Sequence, residues 1–149
     1  MRKRAFIIHG WGGKPNEHWL PWLKQQLESE GFEVHMPQMP NTDEPVIEEW
    51  VSFLTSEVGD VDKETYFIGH SIGCQAILRF LASQDNQAAK CIFVAGWFRL
   101  EGEIYDEGEE VIGVSKPWME TPIDFEKVKQ VTSSISVFLS DNEPYNAVE

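Results

Sequence analysis

At 149 residues, with 42% hydrophobic and 25% charged side chains, the chain has the length and composition of one folded domain with a real core, which excludes a disordered segment. Its formal net charge of -13 argues against nucleic acid or an anionic membrane as partner, since both would repel it beyond close contact. The basic start Met1 to Arg4 is followed by only Ala5 to Ile8 before His9, too short for an export signal or a membrane span, so a cytoplasmic protein is expected.

Ala5 to Ile8 is a continuous apolar run of the kind buried on both faces of a parallel sheet. It predicts strand one. The turn His9-Gly10-Trp11-Gly12-Gly13 follows, and a dinucleotide-binding loop is disfavoured because Pro15 stands where that pattern needs glycine. Leu20, Leu23 and Leu27 share one face of a helix that Pro21 opens and Gly31 ends. Phe32 to Met36 reads as strand two. Asp43 is read as the cap of a second helix, with Pro45 in its first turn and Ile47, Trp50, Leu54 and Val58 as its core stripe.

Thr65 to Ile68 predicts strand three, and Cys74 to Leu81 a helix that turns Ile77, Leu78 and Leu81 inward, with Gln75 and Arg79 on a polar stripe. Cys91 to Ala95 predicts strand four. Cys74 and Cys91, in an intracellular chain, are expected to be reduced and buried. Trp97 to Pro122 reads as a long connection. Its acidic cluster Glu101, Glu103, Asp106, Glu107, Glu109 and Glu110 is expected to be solvated, and its length suggests a flap beside a site, with Trp97, Phe98 and Trp118 either lining an acyl pocket or anchoring the loop. A short helix near Asp124 and a fifth strand, Ser134 to Leu139, lead to the turn Ser140 to Tyr145.

Alternating strands and helices with right-handed crossovers give an α/β fold: a three-layer, doubly wound parallel sheet in the order 2-1-3-4-5. Strands one and three are then neighbours, and the turns that follow them face each other across the crevice where such sheets bind ligands. The turn after strand three is Gly69-His70-Ser71-Ile72-Gly73. Between strand and helix, Gly-x-Ser-x-Gly reads as a nucleophile elbow, a reversal so tight that only hydrogen fits on either side of the serine. The alternative is an ordinary loop with glycines for backbone freedom. In the first reading Ser71 is the nucleophile, and the N–H groups of Ile72 and Trp11 form an oxyanion hole. The four histidines show no metal-ligand spacing, and neither a metal nor a cofactor is expected.

Ile8-His9-Gly10, His18-Trp19 with Trp22, Met39-Pro40 followed by Trp50, the Ser71 elbow and Ser140 to Tyr145 together resemble the YdeN-like and retinoblastoma-binding-hydrolase-like small serine hydrolases of the α/β-hydrolase fold. The resemblance runs over nearly the whole chain. It implies a Ser, Asp, His triad in that chain order, acting on a small ester, thioester or amide substrate. The family's aspartate position holds Glu143, which makes Glu143 the first choice as triad acid and Asp141 the alternative. His9, Gly10 and His18 fall on the substrate side of the site, and His35 reads as structural.

The resemblance also implies a histidine after the acid, whereas none follows His70. The expectation is a domain incomplete at its C-terminus, lacking the last strand, the histidine loop and the final helix, and nearly inactive as it stands. Strand five would then be an open edge, and either association of copies through it or poor stability in solution is expected. Two other readings stay open: a non-catalytic interaction module on a hydrolase scaffold, and a histidine supplied by a partner subunit.

Overall fold

The computed structural model describes residues 2–88 and 90–142. Five parallel strands form one sheet in the order β2-β1-β3-β4-β5, the order that the alternation predicts. They are β1 (Arg4–Ile8), β2 (Glu33–His35), β3 (Thr65–His70), β4 (Lys90–Val94) and β5 (Ile135–Phe138). Ile8 pairs with Gly69, His70 with Val94, and Val94 with Phe138, so the carboxyl ends of four strands lie level. The turns leaving β1, β3, β4 and β5 therefore open on one edge of the sheet.

Helix α1 (Leu20–Ser29) packs on one face, against Ala5, Ile7 and Ile68. On the other, α2 (Ile47–Val58), α3 (Ile72–Leu81), α4 (Glu109–Glu120) and α5 (Phe125–Val131) enclose the main core with Phe6, Ile8, Phe67, Cys91 and Phe93. Trp50, Trp118, Phe67 and Phe80 are all fully buried there. Burying an aromatic of this size is worth about 4–6 kcal/mol in gross transfer energy, most of which chain entropy offsets. Cys74 and Cys91 are free and buried, and burial pushes both thiols up to about 12.

Three sequence expectations change. The long connection after β4 is not a loop throughout: it holds a 3-10 turn, Gly102–Asp106, and then α4. Val111, Val114, Ser115 and Trp118 follow a helical spacing, Glu109 and Glu110 occupy the first turn where the helix dipole favours them, and the chain carries Pro117 within the helix. Asp43 caps no helix, because α2 begins at Ile47 with Val46 before it. The stretch from Pro40 to Pro45 stays non-helical instead, held by three indole donors: Trp50 Nε1 to Pro40 O (2.7 Å), Trp11 Nε1 to Asp43 O (2.8 Å) and Trp118 Nε1 to Pro45 O (2.9 Å). Gln75 and Arg79, read as a polar stripe, are buried against the end of α4.

Candidate active site

Ser71 stands between β3 and α3 with φ 53° and ψ -125°, a backbone conformation that L residues adopt at a cost of about 1–3 kcal/mol. The surroundings enforce it. Ser71 N–H donates to Val94 O (3.0 Å), and Ser71 O accepts from Cys74 N–H (3.1 Å). A Cβ on Gly69 would lie 2.8 Å from the Cys74 backbone, and one on Gly73 would lie 2.5 Å from Ile8 O. Both glycines are therefore dictated by close approach: α3 starts directly against the end of β1, which leaves the serine at the apex of the turn.

Ser71 opens into a cleft of about 590 Å³ lined by Trp11, His70, Ala95 and Trp97 around the serine. Farther out, Leu100, Ile104, Val111 and Val114 form an apolar wall contributed by the 3-10 turn, α4 and the segment before them, and Asp43, Glu44, Glu107 and Glu110 line its acidic side. The Trp97 indole N–H donates to Ser71 Oγ at 3.2 Å. Gly10 packs behind the serine, where a Cβ would come within 3.0 Å of Ser71 Cβ. In the turn after β1, the Gly12 and Gly13 N–H groups are taken by Thr42 O (2.7 Å) and Gly10 O (3.1 Å). Trp11 and Ile72 flank the serine, the latter as the first residue of α3.

The histidines divide by environment. His9 is buried below the cleft: Met39 N–H donates to its Nε2 at 2.9 Å, which leaves the ring proton on Nδ1, 2.9 Å from Gly10 O. Burial lowers its pKa. His70 lines the cleft and meets the Trp19 ring edge to face, and its pKa is lowered by burial first and by the neighbouring His18 and His9 second. His18 is exposed in the turn before α1, and His35 stacks on Phe6 and bonds to Glu33. His9, Gly10 and His18, named from sequence as substrate-side residues, are not among those lining the cleft, and neither is Trp118, which takes the loop-anchoring role of its two readings. His9 instead fastens the loop at Met39, and Trp118 packs on Trp50 and the Arg79 guanidinium, because each finds a buried backbone partner there. Asp141 is exposed in the turn after β5, at the same sheet edge as Ser71, and Glu143 lies outside the described residues.

Sequence reasoning misses Asp43 and Glu44 as site residues, and the α4 wall with them. The helical spacing from Val111 to Trp118 is the available signal for that wall, masked by Gly113 and Pro117.

A family model described as "Serine hydrolase" matches residues 5–149. The chain belongs to the serine hydrolase family. It is 41% identical over 99 residues to the hydrolase YdeN of Bacillus subtilis (strain 168), an alignment covering 65% of this chain and 52% of YdeN. It is 29% identical over 146 residues to the serine hydrolase RBBP9 of Rattus norvegicus, covering 95% of this chain and 73% of that protein. The aligned stretch thus spans about half the length of YdeN. The crystal structure of the B. subtilis ydeN gene product superposes with TM-score 0.83 at 27% identity, over 96% of this chain and 74% of that one. A carboxylesterase from Nitrososphaera gargenis shares the fold at TM-score 0.53 and 19% identity, over 80% of this chain and 46% of its own.

Proposed function

We propose that the chain is a serine hydrolase acting on a small ester, thioester or amide whose acyl group is apolar. The observation that carries this reading is the strained Ser71, whose hydroxyl opens on a cleft walled by Leu100, Ile104, Val111 and Val114. In the reaction Ser71 Oγ attacks the carbonyl carbon, its proton passes to a base, and the oxygen that becomes negative is held by the N–H groups of Ile72 and Trp11. Support for that pair comes from the neighbouring donors: Gly12 and Gly13 are already engaged, whereas no acceptor among the described residues takes the N–H of Trp11 or Ile72.

The base is the weak point. His9 has both ring nitrogens engaged, and His70 directly precedes Ser71 with its ring against Trp19. The chain by itself is therefore nearly inactive, with Glu143 or Asp141 as the acid that would orient a histidine. A p-nitrophenyl ester should release nitrophenol slowly, and Ser71→Ala should abolish that release. Release that persists unchanged in Ser71→Ala would sink the nucleophile assignment.

Self-association belongs to the same reading. Among the described residues no strand lies beyond β5, and Val137 and Phe138 are more than half exposed on it (57% and 59%), an edge suited to pairing with a second copy. No described helix is long and apolar enough to cross a membrane. A cytoplasmic location fits the two free, buried thiols.

A further inference from the structure

The Trp97 indole has a chemical consequence beyond lining an acyl pocket. An indole N–H can only donate, so at 3.2 Å from Ser71 Oγ it compels the serine oxygen to accept and leaves the hydroxyl proton free to point elsewhere. A donor aimed at an oxygen about to lose its proton stabilises the alkoxide more than the alcohol, because hydrogen bonds to charged groups are the stronger ones.

The donor is also held in place. Trp97 O accepts from Gln75 Nε2 at 2.7 Å, and Gln75 Oε1 accepts from Arg79 Nη2 at 3.0 Å. Arg79 Nη2 reaches Trp118 O (3.1 Å) and Thr121 O (2.8 Å), and Nη1 reaches Pro122 O (3.2 Å). Gln75 is fully buried and Arg79 nearly so. The guanidinium, at the C-terminal end of α4 where the helix dipole favours a cation, thus ties the wall of the cleft to α3, and Gln75 carries the connection to Trp97. The polar pair visible on α3 in the sequence therefore fixes the backbone that presents the indole.

We propose that Trp97 is a catalytic residue that donates from Nε1 to Ser71 Oγ and acidifies the serine hydroxyl, with Gln75 and Arg79 as positioning residues. This rests on Ser71 being the nucleophile. The donor makes up part of what a weak or distant base leaves undone, and it stabilises the same oxygen when an acyl-serine is broken down and Oγ leaves.

The test follows phosphonylation by a fluorophosphonate, in which the Oγ–P bond forms, fluoride leaves and the hydroxyl proton passes to water. Trp97→Phe keeps an aromatic ring and removes the N–H. It is expected to label roughly ten- to a hundredfold more slowly near neutral pH, with the rate profile displaced toward alkaline pH. Labelling at the wild-type rate across the pH range overturns the inference while leaving the nucleophile reading intact. Failure of the wild-type protein to label overturns the nucleophile reading and the catalytic claim with it.

A second readout needs neither activity nor a Trp97 variant. In the otherwise wild-type protein, Ser71→Ala should move the assigned Trp97 indole N–H resonance upfield and speed its hydrogen exchange at least about tenfold, as loss of an accepted hydrogen bond requires. An indole proton indifferent to Ser71→Ala overturns the inference directly.

Discussion

The two faces of the sheet are finished to different degrees. Over the face that carries Phe6, Phe67 and Phe93, four helices close a core in which Trp50 and Trp118 are fully buried and even the polar pair Gln75 and Arg79 is enclosed. Over the other, α1 covers Ala5, Ile7 and Ile68, and beside it an apolar groove of about 670 Å³ runs from Trp19, Trp22 and Leu23 to Ile92, Val94 and Phe138. Trp22 is 61% exposed on that side. The closed face sets where Ser71 stands, since it packs α3 and α4 and holds Trp97 against the serine. The open face contributes little to the site, and β5, the edge proposed to pair with a second copy, borders it at Phe138.

Substitutions that cross this divide should differ sharply. Gly73→Ala would place a methyl group 2.5 Å from Ile8 O, a backbone atom that cannot swing aside, and is expected to destabilise by about 3 kcal/mol or more, read as a lower urea midpoint. Trp118→Phe strands the buried Pro45 carbonyl and should cost about 1–3 kcal/mol in the same experiment. Trp22→Ser on the open face should change stability by no more than about 0.5 kcal/mol. If Trp22→Ser costs as much as Trp118→Phe, the contrast between the faces is wrong.

Association gives a finer test. Phe138→Lys, at the exposed end of β5, should shift sedimentation velocity toward the monomer without lowering the urea midpoint. An unchanged distribution would remove β5 as the contact.

The smallest effect is a pH dependence confined to the closed face and the cleft floor. His9 and His70 both have pKa values lowered from 6.5, chiefly by burial. Between the folded value and 6.5 the unfolded chain binds more protons, so stability rises with pH across that window. The contribution is present in full above about 6.5 and is lost as the pH falls toward the folded pKa. Urea midpoints at pH 5 and pH 7 should therefore differ in favour of pH 7, and replacing His9, which Met39 N–H holds neutral, should narrow the difference.

The strand order and the tight turn at Ser71 were legible in the sequence because both rest on local signals: short apolar runs, and glycines flanking Ser71 where α3 meets β1. The roles of Asp43 and the α4 wall were not, and of the two readings left open for Trp118 only the fold selects the anchor. Asp43 has the chemistry of a helix cap, but tertiary donors from Trp11, Trp50 and Trp118 claim the backbone around it, and no local pattern announces indoles that arrive from elsewhere in the chain. Pro117 and Gly113 likewise mask a helix whose inward face only the core reveals. Gln75 and Arg79 were visible as a pair, yet their burial depends on the end of α4 folding over them.

Whether the closed face presents Ser71 as a nucleophile to the cleft is decided by peptide mapping after exposure to a fluorophosphonate. The expected result is slow modification of one residue, Ser71, with none in Ser71→Ala. Modification elsewhere, or a protein that stays unlabelled at any exposure, would contradict it.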